Sequence, residues 1–201
     1  MPLCRERVEN VRIFREKSSR AQTKKAAATP QRYGTEIITS STSVLVPKVS
    51  SERRRYIPLG FIGPETFCSD LVFLIADASV YQFGVLHSQF HNAWMRTVCG
   101  RLESRYRYSG GVVYNNFVWP NPTSKQREAI EVCAQAILDT RDSYPDKSLA
   151  NLYDPDKMPD DLLAAHRALD AAVEAAYGVN FDGDEEKIVA HLFKLYAQAT
   201  A

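Results

Sequence analysis

The two halves of this 201-residue sequence differ in the spacing of their hydrophobic residues, and this difference limits the folds that the chain can adopt. In the first half, short runs rich in β-branched residues, such as Ser43–Val46, alternate with loops. In the second half, apolar residues recur every three or four positions, as in amphipathic helices. We therefore predict an α+β fold: a mixed, mainly antiparallel small sheet with a long packed helix, followed by an all-α region of three helices.

The elements of the first half are expected in a definite order. Strands are predicted at Thr35–Thr39, Ser43–Val46, Tyr56–Ile62, Asp70–Ala76, Arg105–Tyr108 and Val112–Tyr114. The continuous apolar run at Asp70–Ala76 is typical of a central strand. Residues 80–102 have helical spacing throughout and predict one helix, with Gly100 as its terminator.

The second half predicts three helices from their capping residues. Thr123 or Ser124 caps a helix that runs to about Asp142. A second helix begins at Pro159 and ends at Gly178, and a third begins between Asp182 and Glu186. A connector rich in Pro and Asp, residues 144–160, joins the first two helices.

Charge is divided unevenly along the chain. Residues 1–110 contain 17 Lys and Arg against 9 Asp and Glu, whereas residues 111–201 contain 8 against 15. A basic first half indicates a polyanionic partner. Two domains, or two faces of one domain, are both compatible with this division.

The composition excludes several classes of protein. No apolar run reaches the roughly 20 residues that a membrane span needs, and the start of the sequence has no secretory h-region. The four cysteines lie far apart, without disulfide or metal-ligand spacing. We therefore expect no membrane partner, and a reducing, cytoplasmic location.

Alternating charges at residues 103–107 form the first candidate binding site. In an extended segment, Glu103, Arg105 and Arg107 share one face. A carboxylate accepts a hydrogen bond from cytosine N4, and a guanidinium donates two to guanine O6 and N7, so this row has the chemistry to read base pairs. A cross-strand salt-bridge ladder of little energy is the alternative, and composition alone does not decide between them.

A second basic region precedes this row. Its cations alternate with Ser, Thr and Tyr, a mixture that suits binding to phosphate groups. A solvated charged surface is the alternative. The residues concerned are Lys24, Lys25, Arg32, Lys48, Arg53, Arg54 and Arg55.

No catalytic or metal-binding motif emerges. His87 and His91 have the spacing of a zinc-binding pair on a helix, but no third ligand lies nearby in sequence. Asn115-Asn116-Phe117 differs from the active-site loop of adenine methyltransferases, where prolines follow the Asn. Phosphate-binding, nucleophile and nuclease motifs are also missing. We therefore expect neither catalytic residues nor metal ligands in this chain.

Several segments resemble the C-terminal region of MmeI-type restriction-modification enzymes, and the match spans nearly the whole chain in order. It includes Pro47–Arg54, Phe83–Leu86, His91–Arg96, Cys99–Leu102, Tyr106–Ser109, Tyr114–Pro120, Leu152–Pro155 and His166–Asp170. In that family, one polypeptide joins a nuclease, a helical connector, an N6-adenine DNA methyltransferase, a target recognition domain and a C-terminal helical domain.

The resemblance implies a domain division and a set of partners. Residues 1–115 would be most of a target recognition domain, truncated at its N-terminus, and residues 116–201 the C-terminal helical domain. Double-stranded DNA and the methyltransferase domain of a longer parent polypeptide are the implied partners. S-adenosylmethionine and Mg²⁺ would serve that parent, and no cofactor is expected in this chain.

The resemblance also assigns roles to single residues. Glu103 and Arg105 would read one G·C pair, with Glu103 on cytosine and Arg105 on guanine, and Arg107 would contact a neighbouring base or phosphate. Further contacts to the DNA backbone or bases are expected from Lys48, Ser51, Arg53, Arg54 and Arg101. The alternative is a helical scaffolding module that orients the methyltransferase domain and has little DNA affinity of its own.

Overall fold

The computed structural model describes residues 1–33, 36 and 38–201. Contacts divide the chain into two compact units, one made of Met1–Ile38 and Glu65–Asp70, the other of Thr39–Pro64 and Leu71–Ala201. Thr35 and Ile37 lie outside the described residues, so the predicted strand Thr35–Thr39 remains a prediction.

In the first unit, one arginine side chain links the first helix to the segment that follows it. Helix α1 (Pro2–Glu16) is followed by the short helix α2 (Ala21–Lys25) and a 3₁₀ turn at Ala26–Ala28. The Arg15 guanidinium donates hydrogen bonds to the carbonyl oxygens of Ala26, Thr29 and Arg32, at 3.0, 3.0 and 2.7 Å. Arg15 therefore ties the end of α1 to the chain that follows it.

The second unit contains two antiparallel sheets of three strands each. The first has the order β3-β1-β4, from β1 (Ser43–Pro47), β3 (Gly60–Ile62) and β4 (Val72–Ala76). The second has the order β2-β6-β5, from β2 (Val49–Ser50), β5 (Gly100–Leu102) and β6 (Arg105–Arg107). Together with the helices described below, these sheets confirm the predicted α+β class.

Two strand predictions need correction. The apolar run at Asp70–Ala76 forms β4, which lies at an edge of its sheet, while β1 is central. β1 takes the centre because its Val44 and Val46 are fully buried, whereas four of the five residues of β4 are only half-buried and the fifth is exposed. Tyr56–Ile62 is a strand only at Gly60–Ile62, since Tyr56, Ile57 and Leu59 fill the core instead.

Lys48 marks the point where one continuous segment passes from the first sheet to the second. Its N–H donates to Leu71 O at 2.9 Å, extending the β1–β4 pairing, and its carbonyl accepts from Tyr108 N at 2.8 Å, extending the β2–β6 pairing. Residues 43–50 thus position β6 relative to the core sheet.

The long helix predicted over residues 80–102 is two helices, α3 (Val80–His87) and α4 (Gln89–Val98). Ser88 breaks the run with an extended backbone, ψ 163°. The Asn92 side chain stabilises the break, because it donates to Ser88 O at 2.8 Å and accepts from Ile57 N at 2.9 Å. Helical spacing continues across Ser88, so the sequence did not reveal this break.

The segment after β6 also differs from prediction. Residues Gly110–Tyr114 form one π-helical turn, where the sequence predicted a strand at Val112–Tyr114. The Trp94 indole donates to Val113 O at 3.0 Å, and Val113 is fully buried. This contact with α4 fixes the turn against the helix.

The C-terminal helices confirm the predictions from capping residues. The three predicted helices are α5 (Ser124–Asp142), α7 (Asp160–Ala176) and α8 (Glu185–Thr200). The short α6 (Leu149–Leu152) was not predicted and lies within the connector at residues 144–160. Thr123 and Gln126 form a reciprocal cap at the start of α5. Gly178, at φ 71°, follows the end of α7 in the left-handed conformation that glycine adopts easily.

Helices α3 and α5 pack very closely at Gly84. A Cβ added there would lie 2.9 Å from Ile130 Cγ2 and 3.0 Å from Ala134 Cβ, so only glycine fits without displacement. This close approach joins the first half of the chain to its helical second half.

A buried polar cluster also joins the two halves. The Arg141 guanidinium donates to Leu59 O at 2.8 Å and to the Tyr153 hydroxyl, whose oxygen lies 2.8 Å from His166 Nε2. Burial, followed by the charge of Arg141, holds the pKa of His87 and of His166 well below its usual range. Both histidines are therefore neutral within this cluster.

Asp170 is the acidic member of the same region. It accepts hydrogen bonds from the Tyr56 hydroxyl at 2.6 Å and from Gln89 N at 2.7 Å. Burial raises the pKa of Asp170 to about 6, in spite of the two hydrogen bonds, which favour its ionised form.

In the described part of the chain, no helix combines the length and hydropathy needed to cross a bilayer.

Candidate nucleic-acid interface

A short hairpin presents the charged row predicted from the sequence. β5 and β6 pair antiparallel, with Leu102 opposite Arg105 and Gly100 opposite Arg107. Glu103 and Ser104 form the two-residue turn between them. Glu103 has φ 58°, in the left-handed region that non-glycine residues seldom adopt.

Glu103 therefore departs from the extended row that the sequence predicted. The strand begins at Arg105, and only Arg105 and Arg107 share a strand face. The tight turn still brings the carboxylate back to its neighbour, since Arg105 Nη2 donates to Glu103 Oε2 at 2.7 Å. Both side chains stay accessible, at 76% for Glu103 and 46% for Arg105.

The two faces of β6 differ in polarity, as the alternation predicts. Tyr106 in β6 and Tyr108, the residue directly after the strand, are buried, while Arg105 and Arg107 are exposed. The Tyr108 hydroxyl lies 3.1 Å from His91 Nε2. Because α4 anchors the tyrosine face through His91, the arginine face is directed away from the core.

Arg101 and Lys48 lie on the tyrosine side of the hairpin. The Arg101 guanidinium carbon is 4.1 Å from the centre of the Tyr106 ring, and its Nη1 donates to Ser104 O at 3.1 Å. Lys48 Nζ is 4.6 Å from the centre of the Phe73 ring, which itself packs against Tyr108. The structure thus separates these two cations from Arg105 and Arg107.

The basic loop at residues 51–55 follows β2, which is adjacent to β6 in the second sheet. The Ser51 hydroxyl accepts a hydrogen bond from Arg53 N at 3.3 Å. Arg53 Nη2 lies 2.7 Å from Asp156 Oδ2, and this pairing raises the pKa of Arg53 above its usual value. Arg54 Nη2 lies 3.5 Å from Ala150 O, at the limit of a hydrogen bond.

Arg96 connects this loop with the last helix, α8. Arg96 Nη1 donates to the Arg55 carbonyl at 2.8 Å, and its Nη2 pairs with Glu185 Oε2 at 2.8 Å. Asp156, Glu185 and Arg96 were not predicted as site residues. Their partners lie between 41 and 103 residues away in sequence, and no local pattern indicates such pairs.

The two histidines considered as metal ligands have structural partners. His87 packs within the Arg141 cluster, and His91 Nδ1 lies 2.9 Å from Leu86 O. Burial lowers the pKa of His91 to about 4. Among the described residues, no group of three or more His, Cys, Asp or Glu is arranged to hold a metal ion.

Two models of known protein domains together match the whole chain. A model described as "MmeI, target recognition domain" matches residues 1–121, and one described as "MmeI, C-terminal domain" matches residues 122–201. The chain belongs to the MmeI family. Its hairpin and basic loop lie in the MmeI target recognition region, and helices α5 to α8 lie in the MmeI C-terminal region.

Two relatives support the MmeI assignment. DNA methyltransferase A of Bacillus subtilis (strain 168) is 42% identical over 200 residues, which are 99% of this chain and 22% of the relative. A solved structure of the type IIL restriction-modification enzyme MmeI in complex with DNA is 45% identical, with a TM-score of 0.96, over all of this chain and 27% of that one. The chain spans about a quarter or less of the length of either relative.

Proposed function

We propose that this chain recognises a specific DNA sequence on behalf of an MmeI-type restriction-modification enzyme. The observation that supports this most directly is the hairpin, which holds an exposed Arg105–Glu103 pair beside an exposed Arg107. A two-stranded ribbon is narrow enough to enter the major groove. Membership of a family defined by target recognition supports the same role.

The paired side chains suit one G·C pair in a single orientation. Arg105 would donate two hydrogen bonds to guanine O6 and N7, and Glu103 would accept one from the N4 amino group of the paired cytosine. Their hydrogen bond of 2.7 Å keeps the two groups as close as the two halves of a base pair require. Arg107, two residues along β6, would reach a neighbouring base or phosphate.

The other basic residues would bind the DNA backbone or the outer bases. Arg54 and Arg101 would contribute exposed or half-exposed guanidiniums, and Lys48 a half-buried ammonium group. The Ser51 hydroxyl would donate a hydrogen bond to the DNA backbone or to an outer base. Arg53 already pairs with Asp156, and this carboxylate would compete with a phosphate for its guanidinium. Arg53 would therefore contribute less to DNA affinity than the other residues of this group.

The scaffolding alternative applies best to the helical half. Three contacts attach the basic half to the acidic half: Arg53 with Asp156 in the loop between α6 and α7, Arg96 with Glu185 in α8, and Arg141 in α5 with Leu59 O. These contacts support a helical region that holds the recognition surface in place. We infer that residues 122–201 orient the reading surface toward the methyltransferase of the parent protein.

The parent protein would supply the chemistry. We propose that it is a cytoplasmic N6-adenine DNA methyltransferase that uses S-adenosylmethionine, with Mg²⁺ for any cleavage of DNA. These activities would belong to segments that the present chain does not contain, because it corresponds to a small fraction of its relatives.

Selection of duplexes from a random library by the purified chain tests the recognition proposal. We expect an enriched sequence containing G·C at a defined position, and binding at least tenfold tighter than to a scrambled duplex. Affinity should fall steeply with salt, because phosphate contacts release counterions. Equal affinity for both duplexes would contradict sequence recognition, and a salt slope near zero would favour a scaffold without DNA affinity.

A further inference from the structure

Leu102 is an exposed hydrophobic residue on a hairpin whose other exposed side chains are charged or polar. Its side chain is 42% exposed, and it does not belong to the hydrophobic core of the described chain. Arg101, its neighbour in β5, instead packs on Tyr106. Packing therefore does not account for the leucine at position 102.

The register places Leu102 on the reading face. Leu102 lies directly opposite Arg105, and directly opposite residues of an antiparallel pair extend to the same side. The next position of β5 on this face is Gly100, which has no side chain and lies opposite Arg107. Leu102 is thus the apolar side chain that β5 places beside the two arginines.

The chemistry of the DNA grooves narrows what Leu102 can contact. Arg105 reaches guanine O6 and N7 only in the major groove, so the whole face must enter that groove. Thymine displays there a methyl group, the apolar feature of the base-pair edges. Side chains that wedge between base steps act from the minor groove, which excludes that role for Leu102 here.

We propose that Leu102 is a specificity-determining residue that contacts the 5-methyl group of a thymine close to the G·C pair. This inference rests on the proposed recognition function. Side chains opposite each other lie about 5 Å apart, and base pairs rise about 3.4 Å, so the thymine lies within about two base pairs of the G·C pair. Glu103 and Arg105 would then read the G·C pair, and Leu102 a thymine within about two base pairs of it.

Replacement of thymine by deoxyuridine tests the contact, since it removes only the methyl group. In the duplex selected by the chain, each thymine within two base pairs of the G·C pair is replaced in turn. We expect one replacement to weaken binding of the unmodified chain about fourfold, the effect of one buried methyl-sized group. Leu102→Ala should bind the thymine and uracil duplexes equally.

Val112→Ala is the matched control, because Val112 is also an exposed aliphatic residue, at 47%, but lies outside the hairpin. It should retain the fourfold preference for thymine. Three results would overturn the proposal: no thymine in the selected window, no effect of uracil on the unmodified chain, or an unchanged uracil effect in Leu102→Ala. Failure to select any sequence would instead reject the recognition function itself, and this inference with it.

Discussion

Arg105 donates a hydrogen bond to the Glu103 carboxylate at 2.7 Å, across the tight turn that ends the β5–β6 hairpin. Each residue is accessible, so the pair costs little to form and contributes little to stability. We propose that the pair acts through orientation, because the carboxylate favours one position of the guanidinium before a ligand binds. A pre-oriented pair loses less conformational entropy when it binds.

Removal of the guanidinium should relax sequence preference at one position. Arg105→Ala is expected to cost about 1–3 kcal/mol on the selected duplex, because a bidentate contact to guanine is lost. Competition binding against all four base pairs at the G·C position measures the effect. An equal loss on selected and random duplexes would show that Arg105 binds phosphate instead.

Exchange of the charges should reverse the preferred orientation of the base pair. In the double variant Glu103→Lys with Arg105→Asp, the donor and acceptor change places, so C·G should replace G·C at the same position. Repeating the duplex selection with this variant provides the measurement. Retention of G·C would contradict the assignment of Glu103 and Arg105 to one base pair.

Loss of a backbone contact should act on every sequence alike. Arg54→Ala is expected to weaken selected and scrambled duplexes by the same factor and to reduce the slope of log K against log salt by about 1. Lys125→Ala, which alters an exposed cation at the start of α5, serves as control. An unchanged slope would exclude a phosphate contact at Arg54.

The ion pair between Arg53 and Asp156 should limit DNA binding. Asp156→Asn removes the competing carboxylate, so Arg53 becomes available to phosphate and affinity for all duplexes should rise, more strongly at low salt. Because both side chains are more than 60% exposed, the free energy of unfolding should change by less than about 0.5 kcal/mol. Reduced affinity would show that Asp156 positions Arg53 for binding.

Acidification should destabilise the fold. His87, His91 and His166 have lowered pKa values in the native state, so below about pH 6.5 the unfolded chain binds more protons. Asp170 has the opposite effect on stability. Because its native pKa is about 6, the native state binds a proton at Asp170 between about pH 6 and 4, where the unfolded chain does not. The histidines outnumber it, and the free energy of unfolding should fall by at least about 1.4 kcal/mol per pH unit below pH 6.

Urea unfolding at several pH values between 5 and 8 measures this dependence. The Asp170→Asn variant lacks the opposing group, so its free energy of unfolding should fall more steeply with acidification than that of the unmodified chain. A flat profile in the unmodified chain would show that these histidines are protonated in the native cluster.

The local sequence determined the ends of helices and the two faces of a strand, because these features depend on residues close together in the chain. Thr123 and Gln126 specify the start of α5, and Gly178 follows the end of α7. The alternation at Arg105, Tyr106 and Arg107 specified one exposed and one buried face. Periodicity and capping act within a few residues of the chain, so they are visible before the chain folds.

Tertiary structure decided what depends on partners far along the chain. The helix break at Ser88 follows from the bond between Asn92 and Ile57, and the edge position of β4 follows from the burial of β1. The pairing of Arg53 with Asp156 joins residues that no periodic pattern relates. The sequence alone thus determined which charges the hairpin carries, whereas packing decided which of them face outward and which bind to the protein itself.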